Sequence, residues 1–287
     1  MPEGDTIRRL ADKIGRRFTG ERCLRCVTRD PRLVGVDLAG ATITGVDANG
    51  KHLFIRFDNG DTLHSHLMMT GSWTVGPAAR EPEWRRRVEL WMESGRLTGV
   101  DLPIVELIPT ALEHTIVDHL GPDLCGPTEP DIVDVTERLR RDPTELLATA
   151  LLDQRNVAGF GNVYAIEVPF IAGVSPNQPV GTIEGLGDLV GAGAALIRTS
   201  AERGPQNTTG RRLDTADHWI YGKRGRPCPL CATTLDGWEE RESPWGRVSV
   251  WCPECQPVDA VRTVDTARIV KLLALHPARR QPAFPHA

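Results

Sequence analysis

The chain has 287 residues, 40% of them hydrophobic and 25% charged, the composition of an ordinary globular protein with room for two medium domains and a small appendage. Its net charge of −4 excludes wholesale polyanion binding, so a nucleic-acid function must rest on a local basic face. No apolar run approaches the ~18 residues of a membrane-spanning helix, charge begins at Glu3 and no secretory leader is expected, and seven cysteines with four in metal-like spacing fit a reducing cytoplasm.

The first three residues are Met1-Pro2-Glu3. Removal of Met1, common ahead of a small second residue, leaves Pro2 as a free secondary amine. An α-amino group titrates at about 7.7–8.0, so an appreciable fraction is nucleophilic near neutral pH. Addition of a secondary amine to an aldehyde-level carbon gives a cationic iminium, the electron sink that β-elimination next to a sugar C1′ requires. Glu3 adds a carboxyl group within reach, a candidate general acid/base. Residues 5–20 then place Ile7, Leu10, Ala11, Ile14 and Phe18 at helical spacing, with Asp5 as the expected cap and Gly20 as the stop.

From about residue 21 to 117 the signals are short and strand-like: CLRCV, VGVDL, TITGVDA, HLFIRFD, DTLHSHLM, GSWTV and RVELWM, separated by turns such as Asp58-Asn59-Gly60. That is the pattern of a β-sandwich or barrel. Cys23 and Cys26 have CxxC spacing in a strand with no partner pair and read as structural. Lys51 opens a strand after a turn. His64 and His66 share one strand face just before Met68, Met69, Thr70 and Gly71. Two adjacent methionines cannot both face a strand's core, and an exposed flexible apolar side chain is the kind of wedge that enters a base stack. Basic-face candidates are Arg8, Arg9, Arg16, Arg17 and the run 223–226.

Residues 118–135, rich in Pro, Gly and Asp and including Cys125, read as an interdomain linker. Helical signals follow in TERLRR and PTELLATALLDQ, with Asp142 or Thr144 as cap, then a two-glycine turn (RNVAGFGN) and the apolar NVYAIEVPFIAG. Helix, glycine turn, helix is a backbone-binding module in which the Asn162 side chain and exposed amides can meet a phosphate without reading sequence. A further helix is expected over 182–203. Cys228, Cys231, Cys252 and Cys255 make C-x2-C…C-x2-C, the spacing of a closed, structural four-cysteine zinc site on a β-hairpin that also carries Arg247. Beyond it, VDTARIVKLLALH predicts one amphipathic helix, and ARRQPAFPHA reads as disordered.

Over about residues 1–256 these features resemble the formamidopyrimidine-DNA glycosylase/endonuclease VIII family of base-excision repair enzymes. The resemblance rests on Met-Pro-Glu-Gly, Gly50-Lys51, Ser65-His66 with the methionine loop, LLDQRNVAGFGNVYA, IYGKRGRPC and the four-cysteine unit with its arginine, in that order. It implies a multidomain α and β fold: a β-sandwich with an N-terminal helix (1–120), a linker (121–135), a helix–two-turn–helix domain (136–221), a zinc finger (222–256) and a partly disordered extension (257–287). The implied partner is damaged DNA, double- or single-stranded, bound by a monomer, with one structural zinc and no membrane.

The resemblance also implies roles. Pro2 attacks C1′ and forms the Schiff base, Glu3 is acid/base, Lys51 serves β-elimination and phosphate binding, and Arg247 contacts phosphate and assists δ-elimination. His66 and Asn162 grip backbone phosphates, and Met68 and Met69 fill the void left by the flipped nucleotide. Gly4 in place of leucine points to the endonuclease VIII branch and oxidised pyrimidines, whereas Met69 looks like the purine-repair branch. Two other readings stand beside this one: a catalytically silent damage-DNA binder on the same fold, and a purine-preferring formamidopyrimidine-type glycosylase. A zinc-finger transcription regulator is disfavoured, since one four-cysteine unit without a base-reading helix gives little sequence readout.

Overall fold

The computed structural model describes residues 2–77, 80–211 and 215–275, in two compact units, Met1–His119 and Leu120–Ala287.

The first unit opens with α1 (Gly4–Phe18), which buries Ile7, Ala11, Ile14 and Phe18 along one stripe. Its N-cap is Glu3 and not Asp5, which lies in the first turn, its carboxylate accepting from the Thr6 amide at 2.7 Å. Acid there complements the helix dipole without serving as the cap. Eight strands follow: β1 (Cys23–Thr28), β2 (Ile43–Asn49), β3 (His52–Phe57), β4 (Asp61–His66), β5 (Ser72–Gly76), β6 (Arg86–Met92), β7 (Gly95–Val100) and β8 (Ile104–Pro109), with a short α2 (Glu113–Val117) after them. They form two antiparallel four-stranded sheets, ordered β1-β6-β7-β5 and β2-β3-β4-β8. Leu53, Ile55, Leu63 and Val105 of one sheet share a core with Val88, Leu90 and Leu97 of the other and with the buried face of α1. The alternating strands therefore make a sandwich, closed on one side by the N-terminal helix.

The second unit holds α3 (Ile132–Leu139), α4 (Leu147–Leu152), α5 (Asn162–Ala172), β9 (Ile183–Glu184), α6 (Leu186–Arg203), β10 (Asp236–Trp238), β11 (Ser249–Trp251), β12 (Arg262–Thr263) and α7 (Thr266–Leu273). Every residue of α5 is buried, so it is the axis of this unit. Gly193 of α6 allows a close approach to the α4–α5 turn, since a Cβ there would stand 2.5 Å from Cζ of Phe160. The α4–α5 turn is stapled by Gln154, whose amide donates to the carbonyls of Leu152 (2.8 Å) and Phe160 (2.9 Å) while its oxygen accepts from Gly159.

Two further local expectations differ from what is observed, and the helix expected after residue 256 is present as α7. Residues 121–135, expected as a linker, carry packed structure: Leu124 and Cys125 are buried in the second unit's core, Ala158 donates to the Pro122 carbonyl, and α3 starts at Ile132. Two apolar side chains among Pro, Gly and Asp are enough to anchor such a stretch. The second helix begins only at Leu147, because the Leu147 and Ala148 amides go to the carbonyls of Gln178 and Pro176 and residues 142–146 are tied elsewhere. Beyond residue 256, β12 pairs in parallel with β9, and α7 buries Ile269 and Leu272 in the same core. The stretch 278–287 (ARRQPAFPHA) lies outside the described residues.

Candidate functional site

In the first unit, Pro2 is half-buried and Glu3 is fully buried at the head of α1, where the Glu3 carbonyl accepts from the Thr6 and Ile7 amides. The nucleophile candidate is thus attached to a helix that four apolar side chains hold against the sandwich. Lys51 sits in the tight β2–β3 turn, where Gly50 supplies the left-handed backbone (φ 55°) that a branched residue would resist. Across from it, His52 pairs in register with His66 at the end of β4, their rings 4.9 Å apart and edge-on.

The chain leaves the strand at His66, so neither methionine faces the core. Met68 is 47% exposed and Met69 62%, while Leu67 is buried and the Gly71 amide closes the loop on the Leu67 carbonyl at 2.8 Å. Met68 adopts φ 48°, a left-handed conformation costing roughly 1–2 kcal/mol for a non-glycine residue. Its amide donates to Nδ1 of His66 at 3.1 Å, which leaves the His66 proton on Nε2. Burial, reinforced by Lys51 and then His64, pulls the His66 pKa down to about 4. Burial again, with His66 and His64 next, takes His52 to about 3. Both rings are neutral at physiological pH and act as hydrogen-bonding groups, not as charges.

In the second unit, Asn162 is the first residue of α5 and its amide donates to the Val248 carbonyl at 2.8 Å. Arg247, the residue before, is exposed in the connection leading into β11. Farther along α5, Glu167 is fully buried and accepts from the amides of Trp219 (2.7 Å), Ile220 (2.8 Å) and Tyr221 (2.7 Å) and from the Thr208 hydroxyl. Four donors saturate that carboxylate and hold both ends of the 208–219 segment. Sequence reading passed over Glu167, and nothing in its local pattern marks it.

The four cysteines of the C-terminal pairs converge, their sulfurs within 4.8 Å of one another. Cys228 and Cys255 sulfurs are 3.9 Å apart and those of Cys231 and Cys252 3.5 Å, close to the edge of about 3.8 Å of a tetrahedral thiolate shell with metal–sulfur bonds of about 2.3 Å. Hydrogen bonding to Thr233 pulls the Cys231 thiol down to about 6, whereas burial pushes the Cys252 and Cys255 thiols up, so it is the convergence of the four sulfurs that marks the site. The cluster fits a metal ion. Cys23, by contrast, is buried with its thiol pushed up to about 11 by desolvation, next by Cys26, and neither joins a metal-like group among the described residues.

Part of the expected basic face is consumed internally. Arg8 pairs with Asp47 at 2.6 Å, Arg224 with Glu239 at 2.7 Å, and Lys223 donates to the carbonyls of His218 and Trp219. Among the described residues no helix is long and apolar enough to cross a membrane.

The model of the formamidopyrimidine-DNA glycosylase N-terminal domain matches residues 1–102, and that of the family's H2TH domain matches residues 120–201. The chain is 38% identical over 257 residues to a protein of Mycolicibacterium smegmatis named DNA-(apurinic or apyrimidinic site) lyase Nei2, covering 89% of this chain and 99% of that one. It is 37% identical over 262 residues to endonuclease 8 2 of Mycobacterium tuberculosis, covering 89% and 100%, and 30% identical to the formamidopyrimidine-DNA glycosylase of Paracoccus denitrificans, covering 89% and 99%. Its fold matches that of Lactococcus lactis Fpg, solved with a DNA containing an oxidised pyrimidine, at a TM-score of 0.75 and 24% identity over 89% of this chain and 100% of that one. The chain belongs to the formamidopyrimidine-DNA glycosylase/endonuclease VIII family, and its identity to the relatives named Nei2 and endonuclease 8 2 exceeds that to the formamidopyrimidine-DNA glycosylase.

Proposed function

We propose that this protein is a bifunctional DNA glycosylase and abasic-site lyase of base-excision repair, removing oxidised bases, pyrimidines in preference, with Pro2 as the nucleophile. The lone pair of the Pro2 nitrogen, free once Met1 is removed, forms a bond to C1′ as the glycosidic bond breaks and its electron pair leaves with the base, which takes up a proton. Opening of the sugar ring gives the iminium. Loss of the C2′ proton then expels the 3′ phosphate, and a second elimination through C4′ expels the 5′ phosphate. Water hydrolyses the remaining iminium and frees Pro2.

In this scheme Glu3 moves protons at the sugar or leaving group, Lys51 serves the first elimination and binds phosphate, and Arg247 serves the second. His66 and Asn162 bind flanking phosphates, the latter at the N-terminus of α5, where the helix dipole favours an anion. Met68 and Met69 take the place of the extruded nucleotide. Cys228, Cys231, Cys252 and Cys255 hold one zinc. Four thiolates fill its shell, so it supplies folding energy to the hairpin bearing Arg247 and leaves no position for substrate. The protein acts as a monomer on nucleoid DNA in the cytoplasm.

The observation carrying this reading is the burial of Glu3 at the head of a helix pinned by Ile7, Ala11, Ile14 and Phe18, which gives Pro2 a rigid mount. Borohydride reduces an iminium to a stable amine, so it should freeze a protein–DNA adduct on abasic-site duplex. Peptide mapping should put the link on Pro2, and an N-terminal extension should abolish it. An undiminished adduct on protein that retains Met1 overturns the assignment.

A further inference from the structure

Behind His66 stands a chain of side chains that the scheme above leaves unused. Glu106 on β8 is the register partner of His64 on β4, and its Oε1 lies 2.9 Å from His64 Nδ1. His64 Nε2 in turn lies 2.9 Å from Nδ1 of His52 on β3. His52 packs edge-on against His66, its own register partner, at 4.9 Å. Phe54, two residues along β3 from His52, lies 5.1 Å from the His64 ring and 6.5 Å from the His52 ring, so the three rings cluster on one face of β3 and β4.

The tautomers follow from the donors. A carboxylate only accepts, so His64 carries its proton on Nδ1 and its bare Nε2 accepts from His52 Nδ1–H. His52 is left with a bare Nε2. The Met68 amide makes His66 the opposite tautomer, with its proton on Nε2. His66 Nε2–H has no hydrogen-bond partner among the described residues. The other charged groups acting on this column are Lys51 and His119 on His52, and Glu113 on His64; Glu113 is itself engaged by Arg56 and Thr62.

We propose that Glu106, His64 and His52 are positioning residues for His66, a hydrogen-bonded column that fixes the ring behind it in one neutral tautomer and thereby aims the His66 Nε2–H donor at a DNA phosphate. The proposal rests on the reading of His66 as a phosphate contact. A lone neutral histidine at a strand end can turn about χ1 and χ2; one clamped by a backbone amide on Nδ1 and by a fixed ring on its face cannot. The column supplies that second clamp, and its far end at Glu106 sets the proton order along it.

His64→Phe keeps the stack and removes both hydrogen bonds. Nitrogen-15 NMR of the histidine rings should show His52 with a bare Nε2 in the native protein and with a mixed or Nε2–H tautomer in His64→Phe. Affinity for an abasic-site duplex should fall about fivefold, the value of one net hydrogen bond. It should fall no further when His64→Phe is added to His66→Ala. Glu106→Ala, at a partly exposed position that tests the column without disturbing the core, should move affinity the same way, and Glu106→Gln, whose carbonyl accepts the same proton, should restore it. An unchanged His52 tautomer in His64→Phe, or losses from His64→Phe and His66→Ala that simply add, overturns the column. His66→Ala at native affinity instead overturns the phosphate reading of His66 on which the column depends, whatever the ring spectra show.

Discussion

The side-chain amide of Asn162 donates to the backbone carbonyl of Val248 at 2.8 Å, tying the first residue of α5 to the residue that follows Arg247. One amide proton is spent on that tie and the second remains for a ligand. Asn162 is therefore both a candidate phosphate contact and the brace for the loop that carries Arg247. Replacing it by alanine should cost about 1–3 kcal/mol of DNA affinity and shift the products from δ- toward β-elimination. Asn162→Asp should do worse, since a carboxylate cannot donate to the Val248 carbonyl and repels phosphate. Product analysis on abasic duplex decides it. If Asn162→Ala leaves the β/δ ratio native while Arg247→Ala changes it, the brace has no part in placing Arg247.

Zinc should be required for that loop and not for the sandwich. The cysteine cluster is linked to the helical core through Gln256, which accepts from the Cys252 amide at 2.9 Å and donates to the Val174 carbonyl at 2.7 Å. Cys252→Ser should lose the metal and most DNA affinity while the β-sheet signal of the first unit persists. Active protein holding less than one zinc per chain would contradict this.

Acid should destabilise the first unit in a window set by two histidines. The ordinary value is about 6.5, and in the fold His66 lies at about 4 and His52 at about 3, both depressed first by burial. Between those values the unfolded chain binds more protons than the folded one, so stability is fully present above pH 6.5 and is lost as pH falls toward 4. The urea midpoint should drop from pH 7.5 to pH 4.5 more steeply in the native protein than in His52→Gln/His66→Gln. Parallel slopes would remove these two rings as the cause.

Because His66 is neutral, it should not count among the cations that displace salt. Of the four residues assigned to phosphate only Lys51 and Arg247 carry charge, and each should contribute roughly −0.9 to the slope of log affinity against log salt. Lys51→Ala should flatten the slope by about that amount, and His66→Ala should weaken binding with the slope unchanged. A shallower slope in His66→Ala would mean the ring is charged when DNA is bound.

What the sequence makes legible here is what periodicity and spacing encode. Ile7, Ala11, Ile14 and Phe18 mark α1, and the paired CxxC motifs mark the cluster, because each signal lies within one element or one fixed spacing. Leu124 and Cys125 were masked by the Pro, Gly and Asp around them, since composition reports solvation and not which two side chains a core captures. The exposure of the methionines is legible from their adjacency, but the strand ends at His66, two residues before the end of the strand-like run at Met68, so both and not one fall in the turn. The Glu106–His64–His52 column needs the register of three strands, and the Glu167 cradle needs a helix and a loop about fifty residues apart. No local window carries either.

The preferred substrate should be an oxidised pyrimidine or an abasic site, not 8-oxoguanine in duplex DNA. The argument turns on the segment following α6. Asn207 and Asp217 form a bridge, the Thr208 amide donates to the Asp217 carbonyl at 2.8 Å, and the Asn207 side chain ties Thr209, Gly210 and Thr215, so the excursion between them is fastened at its base. Its middle, residues 212–214, lies outside the described residues. A loop so short offers few contacts to a bicyclic purine, whereas a saturated pyrimidine stacks poorly and leaves the helix at low cost. Gly4, buried at the head of α1, points the same way. The family resemblance reads Met69 as the wedge type of the purine branch, but a wedge would fill the void behind either lesion and so would set the cost of flipping more than the choice of base. An abasic site needs no base contacts, and lyase activity on it should be the fastest. Single-turnover rates on matched duplexes containing thymine glycol, dihydrouracil, 8-oxoguanine and an abasic site rank the lesions directly. Fastest cleavage of 8-oxoguanine opposite cytosine would overturn the pyrimidine preference while leaving the Pro2 chemistry intact.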